Sequence, residues 1–435
     1  MIILKEVVYI IGGIIMNSLD NIINEELKDN GIGKYLKYEL DRQNKGLELI
    51  ASENYPSNKV RIAMASIACA KYAEGYPGKR YYGGCINVDN IENLAIETVK
   101  KLFNVRFANV QPHSGSQANA AAYRALEKYL KLDRKMKILS IKLNDGGHLT
   151  HGSAVSFSSN NYEFSFYDLG ADGKIDFDLV EKAIIENKPD VILSGYSSYP
   201  YEVDFSKFKE LADKYNCMFM VDMAHIAGLV AGRRHQNPCH YADIVTSTTH
   251  KTLRGPRGGL ILTNNEELAK LINSAVFPYY QGGPLEHIIA AKAICFEEAL
   301  SDDFRVYAWQ IILNTKAFTN KMKELGAECS DTENHLMLLN TKKSYGLTGK
   351  QAQQMLEEID ITTNKNMLPN DDETSATTSG LRIGFAAMTT RGCTTEQAEF
   401  IAVVIDSYLR GTMPKVIAKM TVHYITSQMK KVEDI

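Results

Sequence analysis

DIVTSTTHKTLRGPRGGLILT, residues 243–263, sets two runs of β-branched and apolar residues on either side of a glycine- and arginine-rich turn. Each run has the length and composition of a buried strand, and the glycines mark the turn between them. In that turn stands Lys251. A free lysine has a pKa of about 10.4 and is almost wholly protonated at neutral pH, so it attacks a carbonyl only in a special site. Burial beside other cations lowers that value and favours Schiff-base chemistry. His250 is adjacent, and Arg254 and Arg257 follow within a few residues. On this segment alone a solvated lysine remains the commoner outcome.

Working outward, strands and helices alternate. KILSIKL (137–143), DVILSGYS (190–197) and MFMVDMA (218–224) read as strands, as do 243–248 and 259–263. Between them SQANAAAYRALEKYLK (116–131), DFDLVEKAIIEN (176–187) and DFSKFKELADKYN (204–216) have helical periodicity. Such alternation predicts an α/β fold with a mostly parallel sheet covered on both faces. Past residue 300 the pattern changes to a long helix (301–327), a strand HLMLLNT (335–341) and a helix (349–358). An irregular stretch (364–379), a strand GLRIGFA (380–386) and a C-terminal helix complete a smaller α+β unit. The expected division is an N-terminal arm (16–66), a large domain (67–300) and a small domain (301–435), closely packed with a site between the two domains.

With 435 residues, 45% of them hydrophobic, the chain can bury a large core. A net charge of −3 implies no broad attraction to nucleic acid. Seven scattered cysteines without a CxxC pair point to reduced thiols and a cytoplasmic protein. The apolar part of residues 1–15 is too short to span a bilayer and lacks a cleavage site, so no membrane partner is expected. Gly12-Gly13, three residues before Met16, matches a translated ribosome-binding site. Residues 1–15 are therefore expected to be a mis-started extension, with Met16 the true start.

Several other groups suit cofactor chemistry. Ser114, Gly115 and Ser116 precede a helix, where free N–H groups and the helix dipole meet an anion; an ordinary serine N-cap fits equally well. Asp222 ends a strand, where a carboxylate points into a ligand crevice and could hold a proton on a pyridine nitrogen. An N-cap is the plainer alternative, and the Asp222–His225 pair lacks a third ligand of recognisable spacing for a metal. In GGHLTHG (146–152), His148 could stack on a planar cofactor; zinc is disfavoured because no H-E-x-x-H or cysteine partner accompanies the pair. KYAEGYPGKRYYGG (71–84) reads as a surface turn, or as a source of proton-transfer groups through Glu74 and its tyrosines. Arg382, on a predicted strand, could clamp a carboxylate or serve a structural ion pair.

Together, ELIASENY, KYAEGYPGKRYYGG, NVQPHSGSQAN, GGHLTHG, VDMAHIAGLVA, TTHKTLRGPRGG, SAVFP, QGGP and NKNMLPND resemble the serine hydroxymethyltransferase family in order and spacing. The resemblance runs from about Met16 to the C-terminus. It implies the fold type I architecture of pyridoxal phosphate (PLP) enzymes and an obligate homodimer with shared active sites. By the same resemblance, Lys251 would hold PLP covalently. Ser114, Gly115, Ser116, Thr248 and His250 would surround the phosphate, with Tyr72 and Gly283 reaching it from the partner subunit. His148 would stack on the ring, Asp222 pair with its nitrogen, and Ser197 and His225 lie near its phenolic oxygen. Ser52, Arg257 and Arg382, with Tyr82 from the partner, would hold the amino acid. Glu74, also from the partner, would be the acid–base group.

Leu143, Gly147, His148, Leu149 and Asn366 match folate-contacting positions. The implied reaction converts L-serine and tetrahydrofolate to glycine and 5,10-methylenetetrahydrofolate, with no metal. The chain departs from the family pattern at Tyr279-Tyr280, at Phe385-Ala386 and in ETSATTSG (373–380), which bear on folate and substrate preference. The competing readings are a folate-independent PLP aldolase of threonine-like β-hydroxy amino acids and a non-catalytic regulatory homologue.

Overall fold

A computed structural model describes residues 19–435. The expectation about residues 1–15 and Met16 lies outside the described residues. Seven strands form the principal sheet: β1 Phe107–Asn109, β2 Lys137–Ile141, β3 Glu163–Tyr167, β4 Val191–Ser194, β5 Met218–Asp222, β6 Ile244–Thr248 and β7 Gly259–Thr263. Their spatial order is β1-β7-β6-β5-β4-β2-β3. The run from β6 to β3 is parallel, whereas β7 lies antiparallel to both β6 and β1.

The continuous apolar runs that marked these strands have a direct cause in the two-residue period of a pleated strand. Leu139, Ile192, Phe219, Val221, Val245 and Leu260 face one buried cluster. Their alternating neighbours Ile138, Val191, Leu193, Met220, Ile244 and Ile261 face another. Both faces are therefore covered by helices, among them Gly115–Leu130 and Glu266–Ser274 on one side and Phe177–Asn187 and Phe205–Lys214 on the other.

A second, antiparallel sheet has Gly380–Gly384 at its centre, flanked by Leu336–Asn340 and Asn364–Asn366. Asn364–Asn366 falls within the stretch expected to be irregular; its all-polar sequence NKN carries no alternation by which to recognise a strand. One C-terminal helix was expected and two are present, Thr395–Leu409 and Lys415–Ser427. Gly411 takes a left-handed φ of 72° between them, and Pro414 caps the second. Strands β1 and β3 were not expected either; β1 is only three residues long, whereas β3, EFSFY, carries an aromatic alternation that does mark a strand.

The helix Asp302–Glu324 serves both bodies. Phe304, Tyr307 and Ile311 pack in the core of the large sheet, and Phe318 and Met322 in that of the small one. The arm joins the same small core through Leu47 and Leu49, and Leu47–Glu48 pairs with Ile361–Thr362. Phe385, at one of the altered positions, is fully buried with its ring 5.1 Å from that of Phe318. All seven cysteines are free. Among the described residues no helix is long and apolar enough to cross a membrane.

After β5 the chain enters the helix Ala227–Ala231, which rests directly on the lysine turn. A Cβ at Gly228 would lie 2.1 Å from the Thr252 carbonyl oxygen, so only glycine permits this approach. The Gly228 N–H donates to Thr252 Oγ1 at 2.9 Å, and that hydroxyl donates to the His225 carbonyl at 2.8 Å. Gly228→Ala is expected to destabilise the protein by about 1–3 kcal/mol through overpacking, read as a lower melting temperature. An unchanged melting curve would contradict this account.

Candidate active site

The carboxyl ends of the parallel strands open on a cavity of about 240 Å³. Asp222 from β5, Thr248 at the end of β6 and His250 and Lys251 after it line it, with His148 and His151 from the loop after β2 and Tyr196 and Ser197 from the loop after β4. This is where an open α/β sheet places its ligands. Ser114, Gly115 and Ser116 close one end, at the start of the helix Gly115–Leu130. Ser114 is the N-cap, accepting from the Gln117 N–H, and that cap leaves the helix N-terminus facing the cavity. Gly115 is required by contact, because a Cβ there would fall 2.6 Å from Thr248 Cγ2. Nearby, Thr248 Oγ1 and His250 Nδ1 are buried without a hydrogen-bond partner among the described residues.

Asp222 is the most constrained group. Its Oδ2 accepts from Asn119 Nδ2 at 2.8 Å and shares a 3.1 Å hydrogen bond with His151 Nε2, while Oδ1 accepts from the Ala224 N–H at 3.1 Å. Burial alone would raise its pKa, but the hydrogen bond to His151, the imidazoles of His151 and His148, and Asn119 outweigh it and hold the carboxyl well below the usual range. His148 is pulled down to about 4, chiefly by burial, and accepts the Thr150 N–H at Nδ1. Asp222 groups with the other histidine pair instead of with His225: ligand atoms of His148, His151 and Asp222 lie within 4.8 Å of one another. Hydrogen bonds already satisfy the carboxylate there without an ion.

Lys251 is buried. Burial, opposed by the charge of Asp222 and aided by Arg382 and Arg257, brings its ammonium down to about 8. The cations differ in part from those expected. Arg257 lines the cavity, but Arg254 turns away to stack over Tyr307 at 4.8 Å, and Arg382 from the small sheet acts instead. His250 is no cation either, because burial pushes it down to about 3. Asn54 holds the turn from the arm, its Nδ2 donating to the Lys251 carbonyl at 2.9 Å and to Tyr307 Oη at 2.6 Å. Ser52, two residues away, is not in the cavity wall. Arg382 Nη1 donates to the Ser197 carbonyl at 2.5 Å and Nε to Asn364 Oδ1 at 3.3 Å. No protein acceptor among the described residues takes its Nη2 hydrogens.

The four residues expected from a partner subunit gather apart from this cavity. A Cβ on Gly283 would meet the Tyr72 ring at 3.2 Å, one on Gly282 would meet Glu74 Oε1 at 3.2 Å, and the Tyr72 and Tyr82 rings lie 5.0 Å apart. Tyr72 and Tyr82 are exposed. Leu143 and Leu149 are exposed and Gly147 is buried. Residues adjoining the folate-matching positions, Asn144 to Gly146 and Met367 to Pro369, line a separate cleft of about 340 Å³. Tyr279 packs under Arg124 at 4.7 Å, away from the Lys251 cavity.

Asn119, Thr150, Asn54 and His335 had no part in the sequence reading, and His151 entered it only as a zinc ligand. Each acts through a contact distant in sequence, so spacing gave no sign of it.

The buried lysine has a measurable consequence. Its pKa falls from 10.5 to about 8 on folding. Between those values the unfolded chain keeps the proton and the folded chain has lost it, so stability rises with pH across the window and the penalty is full below it. At neutral pH the penalty is on the order of 3 kcal/mol. Cofactor-free Lys251→Met should melt above the cofactor-free parent at pH 7, with the margin closing toward pH 10. A margin that grows with pH would refute the buried-ammonium account.

A family model described as serine hydroxymethyltransferase matches residues 26–405. Among curated relatives, the serine hydroxymethyltransferase of Mesoplasma florum is 50% identical over 395 residues, covering 88% of this chain and 94% of its own. That of Mycoplasmopsis synoviae is 49% identical over 390 residues (89% and 91%), and that of Mycoplasmopsis agalactiae 51% over 367 residues (84% and 86%). With the match spanning the lysine turn, the Asp222 strand and both sheets, the chain belongs to the serine hydroxymethyltransferase family.

Proposed function

We propose that the chain interconverts serine and glycine with tetrahydrofolate as the one-carbon acceptor, using PLP bound at Lys251. The observation that carries this reading is a buried lysine and a buried, ionised Asp222 facing one cavity closed by a helix N-terminus. The residues fit the cofactor. The Ser114–Ser116 amides and the unpartnered Thr248 Oγ1 and His250 Nδ1 suit a phosphate, His148 and Ala224 line the space for a flat ring, and Asp222 suits its nitrogen. Bound there, PLP supplies an electron sink for the bond broken at the amino acid α-carbon.

The protein's own share follows from its geometry. Lys251, with its pKa near 8, has an appreciable neutral fraction at physiological pH and serves as the covalent anchor. Asp222, kept ionised by three hydrogen bonds, would hold a proton on the ring nitrogen of bound PLP. Arg382, fixed by Ser197 and Asn364, has Nη2 left for the substrate carboxylate, and Arg257 adds positive potential; Ser52, outside the cavity wall, keeps only the role that the resemblance implies. Glu74 moves the proton at the serine hydroxyl or the folate nitrogen. Leu143, Gly147, His148, Leu149 and Asn366 would border the folate; none of them lines the separate 340 Å³ cleft, though their neighbours Asn144–Gly146 and Met367–Pro369 do.

The clustering of Tyr72, Glu74, Tyr82 and Gly283 away from the Lys251 wall supports a homodimer in which each subunit completes the other's site. The free cysteines support a reducing, cytoplasmic setting.

Glu74→Gln should retain PLP while losing roughly 10²–10⁴-fold in serine turnover with tetrahydrofolate. Lys251→Ala should lose the visible absorbance of covalently held cofactor on dialysis. Refolded as a mixture, the two inactive variants should regain about a quarter of parental activity, because hybrid dimers carry one site with both groups intact. No regain would place Lys251 and Glu74 in the same subunit's site. Serine cleavage should depend on tetrahydrofolate; cleavage of allo-threonine indifferent to folate, with no serine activity, would replace this reading by an aldolase.

A further inference from the structure

His225 lines the cavity, and its other side meets a residue with no assigned role. His225 Nδ1 and His335 Nε2 are 3.1 Å apart, both rings are buried, and their centroids lie 5.4 Å apart. His335 Nδ1 is itself buried without a partner among the described residues. His335 immediately precedes the strand Leu336–Asn340, in which Leu338 is in register with Arg382. The imidazole pair thus joins the loop after β5 to the sheet that carries the carboxylate clamp.

Both rings are neutral. Burial, with Lys251 and Arg382 nearby, drives His225 well below its ordinary value, and burial with the same two cations brings His335 to about 3. The groups facing the pair are Lys251, Arg382, His148 and His235, with Asp222, Tyr196, Tyr199 and Tyr201 lining the small cavity that both rings border. Between two neutral imidazoles one nitrogen must donate and the other accept. If His225 Nδ1 donated, His335 would have to carry its proton on Nδ1, a buried N–H with no acceptor. If His335 Nε2 donates, only a bare lone pair is left at Nδ1. Orphaned buried donors are the rarer defect.

We propose that His335 is a positioning residue that fixes His225 as the Nε2–H tautomer, so that His225 presents a hydrogen-bond donor to the cavity. Such a donor suits an anionic oxygen, and on the reading of the cavity given above that oxygen is the phenolic oxygen of PLP. The inference rests on that reading for the oxygen's identity, whereas the tautomer rests on the protein alone. The arrangement follows a general rule: the partner of one imidazole nitrogen sets what the other can do.

The test is nitrogen NMR on histidine-labelled protein with and without PLP, the His225 signals being assigned by their loss in His225→Asn. His225 should show a protonated Nε2 and a bare Nδ1 in both forms. A proton on Nδ1 overturns the proposal. Failure of the protein to hold PLP at all, with the tautomer as stated, overturns the cofactor reading and leaves the tautomer standing. In the loaded enzyme, His335→Leu should shift the visible cofactor band and lower kcat about tenfold with little change in the KM for serine. His335→Gln, whose amide can donate from the same place, should restore most of both. A leucine variant with parental band and kcat, or a glutamine variant no better than leucine, also overturns it.

Discussion

The structure turns on keeping a carboxylate ionised in a buried place. Asp222 stays charged because Asn119, His151 and a backbone amide all donate to it, and each donor is itself held. Asn119 accepts from Thr246 Oγ1 at 2.6 Å and donates to Thr150 Oγ1 at 2.8 Å, while Tyr123 Oη donates to the Thr150 carbonyl. Strand β6, the helix Gly115–Leu130 and the loop after β2 are thereby tied to one charge. That charge in turn makes a buried lysine tolerable, since it opposes the desolvation of Lys251. Satisfying the carboxylate and arranging the cavity are one physical problem with one solution.

Much of this was legible in the amino-acid order. The parallel strands announce themselves because residues of both faces are buried, leaving unbroken apolar runs such as 191–193 and 218–221. Asp222 and the Ser114 turn sit at a strand end and a helix start, where local rules apply, and Lys251 and His148 in the loops that follow two strands. Illegible were contacts made across long sequence separations: Asn54 on the Lys251 carbonyl, His335 on His225, and the exchange of Arg254 for Arg382 beside the lysine. The polar edge strand Asn364–Asn366 was missed because it forms by pairing with Gly380–Gly384 rather than by burying a face.

The loop bearing Glu74 is stiffened from within. Arg80 donates to Asp89 at 2.8 Å, to Glu92 at 2.7 Å and to the carbonyls of Ala73 and Gly75, leaving its side chain almost fully buried. Gln111 adds bonds to Glu92 and to the Gly75 carbonyl from the strand β1 end. Glu74 and its neighbouring tyrosines are therefore displayed on a preformed surface.

Arg382 grips Ser197 through its main-chain carbonyl, not its hydroxyl. A carbonyl is common to every residue, so the grip is blind to the side chain at that position. The spacing between the Arg382 strand and the cavity wall is thus written into the backbone, and the side chain at 197 can change without loosening it.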